Sequence, residues 1–337
     1  MGNVYFRNKI TFLNVCLTMM IVILHAKSPE RFGLRVEDFS IIYGITMFCR
    51  MATPLFFFVS SLLFFKECSF DDLERKYRSR IKSLLVPYLL WNTIFVTIFW
   101  VMSHVPLISM RMNVGNILNS PKDIIVAIIN SYHTDLWFVK NLMCYTLLAP
   151  VILLCFSNKR LSVVLLFTLI TSVLYIEPGY KDLLRWLPIY LMGAMCGYYW
   201  NDKTLGNFIR KKHSLFFTIS AIVLLIICYA YSIFIQSDKY LIYLSPLLIW
   251  FIVDGLFYRF IRNFKTKEWM GCMFFIFCTH HFLLNVMQKV VVLICEPTKW
   301  VIYLTYLLTP IISIVLLIKI AGWLKRFSIY TVLSGGR

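Results

Sequence analysis

Long apolar runs separated by short basic loops set the rhythm of this chain. The runs fall at 10–26, 40–65, 84–102, 134–156, 161–176, 182–200, 214–235, 240–258, 269–290 and 300–320. Each is close to the roughly 20 residues that an α-helix needs to cross a hydrocarbon core. Runs such as 161–176 and 214–235 are unbroken, whereas a membrane β-barrel alternates apolar and polar residues in strands of about ten. The pattern therefore predicts an all-α, polytopic integral membrane protein with about ten transmembrane helices. Pro178-Gly179, Ser245-Pro246 and Glu296-Pro297 punctuate it. There is no internal repeat and no hydrophilic stretch long enough for a soluble domain, so residues 1–337 read as a single membrane-embedded domain. The longest external segment is 103–133. Within it, 121–132 carries Ile124, Ile125, Ala127, Ile128 and Ile129, which predicts a short helix either lying on the membrane surface or re-entering the membrane.

Composition agrees: 60% of residues are hydrophobic and only 15% charged, against about a quarter charged in soluble domains. The net charge of +18 does not point to nucleic acid, because the cations sit in short loops between apolar runs. Alternating those loops across a membrane puts 22 Lys and Arg on the side of the amino terminus and 10 opposite, with Arg50 and Lys140 inside spans. Cytoplasmic loops are enriched in Lys and Arg, which predicts both termini in the cytoplasm and an even number of spans in the plasma (inner) membrane. The first run flows into Pro29 without a convincing cleavage site, so it reads as a retained helix. Nine of the ten cysteines fall within or at the edge of spans and none forms a Cys-x-x-Cys pair. Metal and disulfide chemistry are not expected.

Ionisable residues at membrane depth are costly and mark functional candidates. His25 closes the first run and is the best candidate base, since imidazole exchanges protons near neutral pH; a helix-end histidine bonded to headgroups or a carbonyl is the other reading. Arg50 suits an anionic or carbonyl group, or a pairing with Asp135 or backbone carbonyls. Lys140 has the depth of a snorkelling lysine. His280 suits an interhelical hydrogen bond, and His281 points about 100° away from it around the helix. The basic run from Arg75 to Lys82 suits either the phosphates of a soluble nucleotide-bearing donor or anionic lipid headgroups. No Walker A or Gly-x-Gly-x-x-Gly pattern is present.

Several segments, taken in order, resemble the acyltransferase 3 family of membrane O-acyltransferases. They are the first helix ending in His25; Pro54-Leu-Phe-Phe-Phe-Val-Ser60-Ser61; Arg80-Ile-Lys82 through Pro87 to Trp91; Leu136-Trp137-Phe138 with Lys140-Asn141 and Ala149-Pro150; Tyr190-Leu-Met-Gly193 with Gly197; and Phe274 to His280. The resemblance covers about 7–320. It implies ten helices with an inside amino terminus. It also implies transfer of an acyl group, commonly acetyl, from cytoplasmic acyl-CoA to a hydroxyl of a surface glycan or its lipid-linked precursor. Under it His25 is catalytic, and Arg78, Arg80 and Lys82 bind the donor phosphates. Arg50, Asp135, Trp137, Lys140 and His280 serve the acceptor, and no metal takes part. The partners implied are the glycan acceptor and membrane lipids. Three positions depart from the family. Asn14 stands where Arg or Lys usually precedes the first-helix histidine by eleven residues, Ser61 replaces glycine, and Asp135 stands where histidine is frequent. Asn14 leaves open altered donor binding, a shifted role for Arg7 or Lys9, or a divergent copy without activity. The alternative function is export of a polysaccharide or glycolipid intermediate, for which broken helices at Leu187-Pro188 and Ser245-Pro246 would serve.

Overall fold

The computed structural model describes residues 2–104, 120–131, 136–200 and 214–336. The described residues form helices and turns, with no strand among them. Among the described residues, eight helices are long and apolar enough to cross a membrane, or nine if one bent pair counts as a single span. The first helix is α1 (Gly2–Leu24), followed by a single turn, α2 (Ser28–Arg31).

Proline explains most departures from straight rods. The second run is split into α3 (Ser40–Cys49) and α4 (Ala52–Phe65). Pro54 has no N–H to offer the carbonyl of Arg50, so the ladder breaks there. The fourth run, expected as one span, is α8 (Trp137–Leu147) and α9 (Ala149–Phe156), bent by 53°. Pro150 causes it by the same loss, opposite Thr146. The third run begins earlier than expected. The basic stretch is itself helical, as α5 (Leu73–Arg80), and continues through a π turn at Ile81–Leu85 into α6 (Val86–Ser103). The widened turn lies where Pro87 lacks the N–H that an α-helix would aim at Ser83.

The short helix expected within 121–132 is α7 (Pro121–Ile129), begun by a reciprocal capping pair between Ser120 and Asp123. It packs against Val96 of α6 through Ala127, Ile124 and Ile128, and the Tyr88 hydroxyl donates to the Ile129 carbonyl at 2.7 Å. Then follow α10 (Lys159–Ile176), α11 (Leu183–Tyr199), α12 (Ser214–Phe234), α13 (Lys239–Arg262), α14 (Met273–Ile294), α15 (Lys299–Leu324) and α16 (Ile329–Leu333). The sixth run is α11, whose 17 residues extend about 26 Å at 1.5 Å per residue. It is shorter than the other single-helix spans and more deeply enclosed.

The centre of the bundle is α4. Phe57, Phe58 and Phe65 are fully buried there, Phe57 against Trp186 and Phe65 against Tyr190 of α11, and Phe58 against Trp250 of α13. Two glycines make that approach possible. A Cβ at Gly193 would overlap Ser61 Oγ and the Phe58 carbonyl, and one at Gly197 would overlap the Leu62 carbonyl. Small residues four apart are a common device for close helix contact in membranes. Outward faces of α10, α12 and α15 expose Phe167, Leu215, Phe216, Ile226 and Leu307. Lys9 and Asp254 turn inward: Lys9 donates to Asp254 Oδ1 at 2.7 Å, with the pair only 1% and 8% exposed. Apolar outside and paired charges inside is the arrangement a bilayer requires.

Candidate active site

One face of α1 carries Arg7, Ile10, Thr11, Asn14, Leu17, Thr18, Ile21 and, just past its end, His25. The spacing of three and four residues keeps them in one stripe. This stripe walls two cavities stacked along the helix. The first, about 710 Å³, meets Arg7 through Thr18 and is closed by Ser60, Arg80 and Lys267. The second, about 670 Å³, meets Ile21 and His25 together with Arg50, Trp137, Tyr180 and His281. Volumes of this size hold a drug-sized ligand or part of a larger one. Phe56, Phe138 and Phe277 line both cavities. Their ring centroids stand 5.9, 5.8 and 6.4 Å apart, so the three rings form a triangular septum between the chambers.

His25 sits at the top of the second cavity among histidines. Its Nδ1 is 2.9 Å from the Ile21 carbonyl. A carbonyl only accepts, so Nδ1 carries a proton. The same logic fixes His280, whose Nδ1 donates to the carbonyls of Ile276 at 3.1 Å and Phe277 at 2.8 Å. Its Nε2 then faces His25 Nδ1 at 3.4 Å as an acceptor. The fully buried His280 thus stands behind His25 and fixes its tautomer. His281 reaches His25 too, at 5.3 Å between centroids, because α14 passes close enough for adjacent positions to flank one ring.

Arg50 emerges at the Pro54 break and lines the second cavity. Its Nη1 lies 3.2 Å from Asp238, which also accepts from Arg185 at 2.8 Å. Trp137 lines the same cavity. Lys140 does not line either cavity; it donates to Asn130 Oδ1 at 3.0 Å, tying α8 to the end of α7. Asp135 lies outside the described residues.

The basic run divides by role. Arg75 pairs with Asp72, and Arg78 with Glu74, on the exposed face. Bonds from Ser69 and from Arg75 hold the Asp72 carboxyl well below the usual carboxylate range. Lys76 donates to the Phe64 and Lys66 carbonyls, closing the end of α4. Lys82 is exposed. Arg80 alone of the three expected donor-binding residues reaches the first cavity, anchored to the Ser60 carbonyl at 3.0 Å. Two further cations line the cavity with it: Arg7, one of the two residues to which the Asn14 departure left a shifted role open, and Lys267, which is not among the candidates from sequence. Arg7 lies two turns before Asn14 on the same face, a signal present in the sequence. Lys267 comes from the turn between α13 and α14, and no local pattern announces it. Lys9 points the other way, into the pair with Asp254.

A family model described as an acyltransferase domain, acyltransferase 3, matches residues 7–319. The chain belongs to the acyltransferase 3 family. No curated protein and no solved structure matches it. As an acyltransferase 3 protein it is a membrane-bound acyltransferase, so its site must accommodate an acyl donor and an acyl acceptor. Among the described residues, no three His, Cys, Asp or Glu side chains are grouped to hold a metal ion. The acyltransferase 3 match spans both cavities, the septum, and His25, His280 and His281.

Proposed function

We propose that the protein transfers an acyl group, acetyl by preference, from cytoplasmic acyl-CoA to a hydroxyl of a cell-surface glycan or its lipid-linked precursor. The observation that carries this reading is the pair of chambers end to end along α1, cationic at one end and histidine-bearing at the other. Arg7, Arg80 and Lys267 form a cluster without a carboxylate on the first cavity's lining. Phosphates are recognised by such clusters through charge-assisted bonds. Arg7 supplies the charge that Asn14 lacks. From Arg7 to His25 is 18 residues, about 27 Å along the helix. The extended pantetheine arm of the donor spans the first cavity and passes the Phe56–Phe138–Phe277 septum, bringing the thioester toward His25. The amino-terminal end then faces the cytoplasm, as the basic bias of the loops requires.

In the second cavity the acceptor hydroxyl gives its proton to His25 Nε2 as its oxygen attacks the thioester carbonyl. The C–O ester bond forms, the C–S bond breaks, and the imidazolium returns the proton to the departing CoA sulfur. Nδ1–H stays directed at the Ile21 carbonyl and His280 Nε2, which steadies the charged ring. His280 is thus a positioning residue, and Trp137 and Arg50 hold the acceptor.

His25→Ala in membrane vesicles supplied with radiolabelled acetyl-CoA and a glycan extract should lower transfer about 10²–10⁴-fold. Donor binding at the other chamber should persist. Near-normal transfer by this variant would return His25 to an interfacial structural role. An acyl group trapped on His25 would replace direct transfer by a covalent route.

A further inference from the structure

The second cavity is unusually rich in positive charge for the chamber that receives a sugar. Lys27, Arg31, Arg50 and Lys181 line it, against the single carboxylate of Glu30. Glu30 is taken by Lys27 at 3.2 Å. Asp238, the anion behind Arg50, is divided between Arg50 and Arg185, so among the described residues two guanidinium groups share one carboxylate there. Arg31 donates through Nη2 to the neutral Asn285, and its buried Nε has no hydrogen-bond partner among the described residues. Lys181 has no carboxylate partner among the described residues.

Apolar walls lie beside these cations: Phe56, Trp137, Phe138 and Phe277 belong to the same lining. A low-dielectric wall strengthens the attraction of such cations for an anion and the cost of leaving them unanswered. A neutral saccharide would leave at least two guanidinium or ammonium groups without a counter-charge as it displaced their water.

We infer that the acceptor is an anionic saccharide, bearing a carboxylate or phosphate close to the hydroxyl that is acylated. Arg31, Arg50 and Lys181 hold that oxyanion, and the hydroxyl beside it meets His25. Arg50 is fixed from behind by Asp238, as a guanidinium must be to offer its remaining N–H groups in a defined direction. This inference rests on the proposed acyl transfer for the hydroxyl's role, but the charge preference is measurable without transfer.

The test uses the full-length protein in nanodiscs of zwitterionic lipid, with binding followed by calorimetry or saturation-transfer NMR. Four probes are compared: a glucuronate-containing oligosaccharide, the same oligosaccharide with its carboxyls reduced to alcohols, its phosphorylated counterpart, and a phosphatidylglycerol headgroup. The uronate or phosphosaccharide should bind at least about tenfold more tightly than the reduced form, with the margin shrinking as salt rises. Arg31→Gln and Lys181→Gln should each remove about tenfold of that margin, with unchanged thermal midpoints showing intact folding. The carboxylate and phosphate arms tell which oxyanion is preferred. Equal affinity for charged and reduced saccharides, or preference for the headgroup alone, would overturn the inference. Charge-selective binding together with near-normal transfer by His25→Ala would leave this inference standing and overturn the mechanism at His25 instead.

Discussion

Asp254→Asn is expected to unfold much of the population of this protein, although Asp254 touches neither cavity. Lys9 and Asp254 join α1 to α13 inside the bundle. Lys9 Nζ lies 2.7 Å from Asp254 Oδ1, 3.0 Å from the Trp250 carbonyl and 3.3 Å from the centre of the Trp250 ring. The Tyr5 hydroxyl donates to the same carboxylate oxygen at 2.6 Å. With Lys9 1% exposed, neutralising its partner leaves a buried ammonium with neutral partners alone: the amide oxygen of the introduced asparagine, the Trp250 carbonyl and the Trp250 ring face. Removing one member of a buried pair costs about 3–5 kcal/mol, roughly two to three and a half orders of magnitude in the folded-to-unfolded ratio. Lys9→Met should be similarly harmful, since it leaves the carboxylate to Tyr5 alone. The double variant Lys9→Met/Asp254→Leu should recover to within about 1–2 kcal/mol of the parent, because a packed apolar pair avoids desolvating two charges. Denaturant titration in mixed micelles, followed by tryptophan fluorescence, gives the four free energies of the cycle. Additive losses, or an Asp254→Asn cost below about 1 kcal/mol, would refute the buried pair as a linked unit. The cycle also bears on function. With Lys9 committed to Asp254, the refolded double variant should bind acyl-CoA like the parent, leaving Arg7 as the cation that stands in for Asn14.

Three further outcomes are expected. Arg7→Gln and Arg80→Gln should each raise the dissociation constant for acyl-CoA about tenfold, whereas Arg78→Gln and Lys82→Gln should change it less than about threefold; the reverse ranking by filter binding would move the donor phosphates out of the first cavity. Gly193→Ala should lower the thermal midpoint by an amount equivalent to about 1–3 kcal/mol, since the methyl meets Ser61 and the Phe58 carbonyl; an unchanged midpoint would show that α4 and α11 lie farther apart. Cysteines placed at Ser79 and Glu296, in a background without reactive thiols, should label from opposite faces of sealed vesicles, and labelling from one face would break the alternation of the loops.

The hydrophobic pattern determined the class of this protein and most of its helices because lipid imposes a length and a composition on any crossing segment. Charge in the loops predicted the orientation for a comparably local reason. Proline positions were visible too, though how each would be resolved was not: Pro54 opened a joint at Arg50, Pro150 bent α8 against α9, and Pro87 was absorbed by a π turn. His25 was legible because a histidine at the end of an apolar run has few neighbours in sequence to explain it.

Tertiary structure decided which residues work together. Nothing local joins His25 to His280, 255 positions away, or Arg50 to Asp238 and Arg185. Nor does the run from Arg75 to Lys82 announce that Arg80 turns into a cavity while Arg78 and Lys82 do not. That division follows from the helical phase of α5 and from the neighbours each side chain meets: Glu74 for Arg78, the Phe64 carbonyl for Lys76, the Ser60 carbonyl for Arg80. The septum of Phe56, Phe138 and Phe277 draws on α4, α8 and α14. In sequence each is one more apolar residue in an apolar run; only the crossing of three helices makes them the boundary between two chambers.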